Sequence, residues 1–443
     1  VATAAGESAL ALVRVSGPAA LALVAPLIHP EGSLAAAPSH RVRRVVLVDP
    51  RSGQVIDDAL CTVMRGPRSY TGEDTVELSC HGSPALVQIV LERLVAQGAR
   101  LAEPGEFTRR AFLNGRIDLA QAEAIALLIS ARTERGVALA ARGLAGELSH
   151  RLRRLRQGLL DVVASLEVAL DFPDDASEPE RAESASNIKK LLNESEGLRR
   201  AARMGHKAHG GLTVAIVGPP NAGKSSLFNA LLGRNRAIVT PEAGTTRDVV
   251  EGTIVIAGTP VTLLDTAGLG EPRDEIDAEG MRRSREALEA GDLLLVVLDG
   301  GAPLDGGAAA LLDETRGCAR IVVLSKSDLQ SSAQEPSLPA AVRTSVKAEG
   351  GLEDLHARLA DEVGARTGVD GDEGGIVASL RQLELLDGLS RSLGAASTAF
   401  EAEPLEIALV DLRSALEAVS ALLGIEVGDA VLDTVFAKFC VGK

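Results

Sequence analysis

The sequence predicts a multidomain protein with an α+β domain at the front, an all-α helical domain, and an α/β domain inserted into the helical one. Three observations carry this expectation. At 443 residues the chain is too long for one core, so about two or three domains are expected. Helical periodicity takes over from short β-type runs near Ile117, and strands alternating with helices replace it from Leu212.

Residues 1–115 contain the runs LALVRVSG, RVVLV, ALCTVM and DTVELSC, parted by the turn-rich segments DPRSGQ and RGPRSYTGED, which predicts mixed strands and helices. In 116–210, LAQAEAIALLISA and LRQGLLDVVASLEVAL place apolar residues three and four apart, and no Pro intervenes before DFPDD, so long helices are expected. In 211–368, TVAIVG, VTLLD, LLLVVLD and IVVLS each end at a Gly- or Asp-bearing loop. That order predicts a mainly parallel sheet with helices on both faces. TGVDGDEGG reads as a linker into 369–443, where helical pattern returns between Val377 and Phe439. The α/β unit thus lies between two helical segments that are expected to pack together.

A hydrophobic fraction of 46% with 24% charged residues describes a soluble globular protein. Aromatic residues make up 2%, with no Trp and a single Tyr, Tyr70, which argues against base recognition by stacking. A net charge of −15 repels phosphate backbones overall, so a nucleic-acid partner needs a local basic patch or a second protein. No apolar run long enough to span a membrane is present, and VATAAGESALALVRVSG lacks the pattern of a secretory signal. The chain opens without Met, and a few residues are expected ahead of Val1. Cys61, Cys80, Cys318 and Cys440 are scattered without a CxxC pair, which points to free thiols in a reducing cytoplasm, with no disulfide partner.

The strongest local signal is GPPNAGKS, Gly218 to Ser225, between the strand-like TVAIVG and the helical SLFNALLG. It fits G-x-x-x-x-G-K-S, the phosphate-binding P-loop. Asn221, Ala222 and Gly223 form the loop whose N–H groups close around phosphates. Lys224 reaches outer phosphate oxygens, Ser225 can ligate Mg²⁺, and Ser226 continues the helix start with its dipole. DTAG follows the strand VTLLD: Asp265 is placed for the Mg²⁺ shell, Thr266 and Ala267 lead on, and Gly268 can offer its N–H to a terminal phosphate. Between the two motifs GTTRD offers Thr246 as a second hydroxyl ligand of the metal; alone, it would read equally as a polar turn.

For the base, IVVLS runs into SKSD, where guanine-selective proteins usually carry N-K-x-D. Asp328 can accept from the guanine ring N–H and amino group, a pairing adenine does not repeat. Ser325 replaces the usual Asn ahead of Lys326, and a loss of affinity is expected. TSVK, with Ser345, Val346 and Lys347, suits the loop that closes over the base. Many such switches orient the attacking water with a Gln directly after DxxG; here that position is Leu269. A substitute carboxylate is sought in LGEPRDEIDAEG, whose acids otherwise read as a solvated loop.

Together GPPNAGKS, AGTTRDVV, DTAGL, SYTGEDTVELSCHG, PGEFTRRAFLNGRIDLAQAEAIALLISA, DFPDD and the final FCVGK resemble the tRNA-modification GTPase family MnmE, also called TrmE, over nearly the whole chain. The resemblance implies an N-terminal domain that binds a tetrahydrofolate derivative (5-formyl- or methylene-tetrahydrofolate) and mediates homodimerisation. It implies a helical domain and an inserted Ras-like G domain. It also implies a flavin-dependent partner, MnmG, which brings FAD and NADH chemistry to a heterotetramer-type complex. That complex attaches an aminomethyl-type group at the 5-position of the wobble uridine of certain tRNAs. GTP turnover is then switched on when two G domains meet around potassium, which takes the role of an arginine finger.

By the same resemblance, Asn221 is the potassium-binding Asn, and the loop Thr240 to Thr245, with Glu242, wraps that ion with backbone carbonyls; by itself Asn221 reads as a turn residue. The water-orienting glutamate falls at Asp277, one methylene shorter, so slower hydrolysis is expected. Folate contacts fall on Arg14, Glu77, Arg116 and Lys443, which by sequence alone would be surface charges or structural ion pairs. Arg116 stands where Lys is common. Cys440 falls on a cysteine that the modification requires, although a lone Cys among apolar neighbours is commonly a small buried hydrophobe. RLRRLR and LRRAAR could touch tRNA phosphates, or be solvated helix faces. The rival reading is a G-protein switch in ribosome or RNA assembly; such proteins usually add an RNA-binding module or a second G domain, and this chain shows neither a second GxxxxGKS nor a basic C-terminal unit.

Overall fold

The computed structural model describes residues 1–30, 34–172, 178–234, 250–265, 291–329, 338, 340–368, 375–439 and 442. By compactness the chain forms two units: Val1–Ala126 with Leu144–Leu191 and Arg391–Lys443, and Leu127–Gly143 with Leu192–Ser390. These units cut across the sequence-based segments: their boundaries, at 126/127, 143/144, 191/192 and 390/391, fall inside helices, whereas the segment boundaries at 115/116, 210/211 and 368/369 fall at or beyond helix ends.

The front of the chain folds as an antiparallel sheet of β1 (Ser8–Ser16), β2 (Ile28–His29), β3 (Arg41–Val48), β4 (Val55–Met64) and β5 (Thr75–Gly82), in the order β1-β5-β4-β3-β2. Alternation decides which face is covered. Along β4, Asp57, Ala59, Cys61 and Val63 point inward while Asp58 and Leu60 are exposed. The helices α1 (Ala20–Val24) and α2 (Pro84–Ala96) accompany this sheet. Val24, Val90 and Leu94 join Leu47, Val76 and Leu78 in one apolar core. α2 starts with Pro in its first turn, where the missing N–H costs nothing. Then comes α3 (Glu106–Leu113), entered through Gly105 at φ 69°, where a Cβ would stand 2.6 Å from the Phe436 carbonyl.

The helical pattern materialises as α4 (Leu119–Ser130), α5 (Glu134–Leu144), α6 (Glu147–Asp171) and α7 (Glu178–Gly210). Leu148, Leu152, Leu155, Leu159 and Leu166 form the buried stripe of α6, at the spacing the sequence predicts.

The third element set is an α/β unit with β6 (Leu212–Val217), α8 (Lys224–Arg234), β7 (Val250–Ile256), β8 (Thr259–Asp265), β9 (Leu293–Asp299), α9 (Gly306–Glu314), β10 (Arg320–Ser325), β11 (Val342–Arg343) and α10 (Glu353–Thr367). The strand order is β11-β10-β9-β6-β8-β7, parallel throughout except for the β7–β8 hairpin. β9 reads LLLVVLD with its first six residues buried, as expected of a central parallel strand covered on both faces. One face packs Val214, Ile216, Leu295 and Val297 against Leu227, Leu231, Leu355 and Leu359; the other packs Ala215, Val217, Leu294 and Val296 with Ala308. Arg135 of α5 belongs to this unit. Its guanidinium donates to the Thr367 carbonyl (2.6 Å) and hydroxyl (3.1 Å), placing a cation on the last turn of α10.

Finally α11 (Leu380–Ala402), α12 (Leu405–Leu423) and α13 (Asp429–Phe436) complete the chain. Phe436 and Phe439 pack with Leu119, Ile125 and Leu432, so the C-terminal segment closes onto the start of α4.

Candidate functional site: a phosphate cradle at a sheet edge

Parallel pairing brings the carboxyl ends of β6, β8, β9 and β10 to one edge, the place where open α/β sheets hold ligands. GPPNAGKS joins β6 to α8 at that edge. Gly218 is required by packing: a Cβ there would lie 2.1 Å from the Val297 carbonyl oxygen. Asn221 (φ 60°) and Gly223 (φ 94°) turn the loop through the left-handed region, costly for Asn and natural for Gly. Lys224 is buried, and its ammonium donates to the Gly218 (2.9 Å) and Pro219 (2.8 Å) carbonyls. Burial pushes its pKa down, while the Asp265 carboxylate pulls the other way. Ser225 and Ser226 are exposed in the first turn of α8, and Ala222 is buried beneath the loop. Asp265, buried, ends β8 opposite Ile216 of β6.

The base-side loop is anchored to this cradle. Ser325 is buried with its hydroxyl 2.5 Å from the Ala222 carbonyl and 3.1 Å from that of Leu298. Lys326, at φ 56°, donates to the Asn221 carbonyl (2.8 Å) and to Asp299 (2.6 Å). Asp328 is exposed, accepts from the Ser345 hydroxyl (2.7 Å), and is held below the usual carboxylate range by that bond first and by backbone N–H and Lys347 after it. Ser345 also receives the Lys347 N–H, while Val346 is exposed. Asp299 is the residue sequence reasoning missed. It lies in register with Ser325, accepts the Gly301 N–H at 2.9 Å, and holds Lys326 over the loop. Burial raises its pKa, but those two donors outweigh it and the net shift is downward. The signal was present as the acid ending LLLVVLD.

In the front unit the structure brings Arg14 and Glu77 together on neighbouring strands. They are in register on β1 and β5, with Arg14 Nε 2.8 Å and its terminal nitrogen 2.7 Å from Glu77 Oε1. The guanidinium carbon stands 5.2 Å from the Tyr70 ring centre and 5.4 Å from that of Phe107, at cation–π range. It also donates to the Gly442 carbonyl at 3.3 Å, which brings that glycine of FCVGK to the same place. Arg116 is exposed, its stem 3.4 Å from where a Cβ on Gly72 would stand. Beneath lies a buffered ion cluster. Glu106 accepts from Arg100, Arg110 and the Glu103 N–H; burial alone would raise its pKa, and these partners hold it at about 2.

The basic runs are engaged within their own units. Arg151 pairs with Glu147, Arg153 with Asp118, and Arg156 donates to Ser420; Arg199 and Arg203 share Asp387. Cys61, Cys80 and Cys318 are free thiols, and burial pushes Cys61 up to about 11. Among the described residues no helix is long and apolar enough to cross a membrane. Thr240, Glu242, Thr245, Thr246, Thr266, Ala267, Gly268, Asp277, Cys440 and Lys443 lie outside the described residues.

The family model described as the MnmE helical domain matches residues 119–440, and that described as GTP-binding protein TrmE N-terminus matches residues 1–116. The chain is similar to the tRNA modification GTPase MnmE of Carboxydothermus hydrogenoformans, at 38% identity over 456 residues, covering 100% of this chain and 98% of the relative. It is 39% identical over 455 residues to the protein of that name from Exiguobacterium sibiricum, with 100% and 98% covered. The Koribacter versatilis protein of that name is 40% identical over 451 residues, again with 100% and 98% covered.

Proposed function

The chain belongs to the tRNA modification GTPase MnmE family, and from that premise we propose that it binds and hydrolyses GTP at the strand-end edge of the β6–β11 sheet in the service of tRNA modification. The observation that carries this reading is the pairing of two anchored loops at one edge. The Lys224 loop is shaped for phosphates, and the Lys326–Asp328 loop is fastened to it through Asn221 and Ala222. In this reading the Lys224 ammonium exchanges its two loop carbonyls for outer phosphate oxygens, while the loop N–H groups and the α8 dipole neutralise the remainder. Asp328 accepts from the guanine N–H edge, with Ser345 holding its carboxylate in place.

The donor set suits magnesium: Ser225 hydroxyl, the buried Asp265 carboxylate and Thr246 are hard oxygen groups, as a small divalent cation requires. Magnesium, when bound, offsets charge between the outer phosphates. Asn221, Thr240, Glu242 and Thr245 are assigned to potassium, which takes the role of an arginine finger. Asp277 is assigned to orienting the attacking water. The G domain at 211–368 is taken as an insertion in a helical domain formed by 116–210 and 369–443.

The domain at 1–115 is taken to bind a tetrahydrofolate derivative through Arg14, Glu77, Arg116 and Lys443, and to form a homodimer. The residues present suit such a group: both Arg14 contacts fall on Glu77 Oε1, so Oε2 is the oxygen that can serve the donor-rich edge of a pterin, beside the Tyr70 and Phe107 rings. With a flavin-dependent partner of the MnmG type, in a heterotetramer-type complex in the cytoplasm, the chain would serve modification at the 5-position of the wobble uridine. Cys440 is assigned a reactive role in that step.

The test is GTP turnover by the full chain in potassium and in sodium buffer, with Lys224→Ala as control. Turnover is expected to be faster in potassium and to fall by about a hundredfold or more in the variant, because an oriented cation on the transferring phosphoryl group is lost. Equal rates in both salts would remove the potassium assignment. A variant as active as the parent would remove the nucleotide site.

A further inference from the structure

Ser325 occupies the position where N-K-x-D proteins carry Asn, and its surroundings say which part of the base this chain can read. The hydroxyl is buried between two carbonyl oxygens, Ala222 O at 2.5 Å and Leu298 O at 3.1 Å. A serine hydroxyl has one proton, and both neighbours only accept. That proton is therefore committed inside the protein, and no Ser325 donor remains for a ligand. An Asn side chain carries two N–H groups, so it can hold the loop carbonyl with one and meet a base acceptor with the other. The neighbouring cation does not replace it: Lys326 is turned onto the Asn221 carbonyl and the Asp299 carboxylate. Asp328, kept ionised by Ser345, is acceptor-only.

Guanine presents donors at its ring N–H and amino group, and acceptors at N7 and O6. We propose that this site selects guanine through the donor edge that Asp328 reads, with no side-chain contact to N7, and that Ser325 is a positioning residue tying the end of β10 to the phosphate loop. The inference rests on the GTP reading above. The exchange of Asn for Ser keeps the mechanical half of the position and discards the recognition half. A side chain at Gly223 would come within 3.5 Å of the Ser325 hydroxyl, so the glycine lets the phosphate loop lie close against Ser325.

The experiment is calorimetric binding of GDP and of 7-deaza-GDP, in which N7 is replaced by C–H, to the full chain, to Ser325→Asn and to Ser325→Ala. The parent is expected to bind the two nucleotides within about twofold, since no hydrogen bond distinguishes them. Ser325→Asn is expected to prefer GDP over 7-deaza-GDP by about fivefold, the worth of one net hydrogen bond. Ser325→Ala is expected to weaken both equally, because the tether to Ala222 is lost and the base contact was never there. A parent that binds 7-deaza-GDP about fivefold or more weakly than GDP overturns the inference, and that comparison needs no variant to fold. A parent that binds neither nucleotide overturns the GTP reading itself.

Discussion

At the edge of the inserted sheet, Lys224, Lys326 and Asp328 sit on loops and are held by backbone carbonyls, a carboxylate of the next strand or a neighbouring hydroxyl. In the front unit, Arg14 and Glu77 sit opposite one another on adjacent strands and hold each other, largely out of water at 12% and 21% side-chain exposure. The difference sets what each site contributes. Groups resting on carbonyls can exchange those partners for a ligand at small cost, since a bond between an ion and a neutral carbonyl is replaced by one between two ions. Groups paired with each other largely out of water are part of the fold even where one oxygen also serves a ligand, and either one left alone is an uncompensated charge. The first arrangement is expected to govern nucleotide binding with little effect on stability, and the second to carry stability of the front unit along with any ligand it meets.

Arg14→Ala breaks that comparison most directly if it is wrong. It leaves the Glu77 carboxylate without its partner and removes a guanidinium lying over the Tyr70 and Phe107 rings, so the front unit is expected to lose about 3 kcal/mol. Arg14→Met with Glu77→Leu is expected to recover most of that loss, because an apolar pair needs no compensation. Tyr70 is the sole tyrosine in a chain without tryptophan, so its fluorescence during urea unfolding reports this unit alone. A single variant as stable as the parent would show that the pair is not structural. GDP affinity is expected to be unchanged throughout.

The sequence made the sheet edge legible because its parts are contiguous: a loop, a strand end and a four-residue signature each announce themselves within a few positions. The anchoring was not legible. Ser325 reaches Ala222, and Lys326 reaches Asn221 and Asp299, only because β9 and β10 run parallel to β6 in register. Asp299 therefore passed as a strand-ending acid. The Arg14–Glu77 pair was less legible still. Its members are distant in sequence, and the third contact comes from Gly442 at the other end of the chain. Each was a plausible surface charge until the antiparallel register of β1 and β5 placed them opposite one another.

A second stability effect sharpens the same contrast through pH. The Glu106 carboxyl is held at about 2 in the folded chain, well below an ordinary glutamate's 4.5, because its donors from Arg100, Glu103 and Arg110 outweigh burial. A depressed folded-state pKa contributes stability above the unfolded value and loses it as pH falls through the folded one. Glu106→Gln is therefore expected to cost up to about 3 kcal/mol at neutral pH, the difference closing between roughly pH 4.5 and pH 2. Tyr70-monitored unfolding across that range measures it. A difference that stays constant with acid would mean that packing, and not charge, holds the cluster.

The smallest effect is predicted at the sheet edge, and it is the one that separates binding from stability. The Lys326–Asp299 pair is about one-third exposed on each side, at 35% and 30%, so breaking it is expected to change stability by less than about 1 kcal/mol. Yet Asp299 is what holds Lys326 across the phosphate loop onto the Asn221 carbonyl, with Lys326 itself in the left-handed region at φ 56°. Asp299→Asn keeps shape and removes charge. The loop should then sample more conformations, and GDP affinity is expected to fall about tenfold, equivalent to about 1.4 kcal/mol. Calorimetry and thermal unfolding on the same sample decide the matter. A variant that loses melting temperature in proportion to its affinity would place this pair with Arg14 and Glu77, and the division between a site held for exchange and a site held for folding would fail at its own boundary.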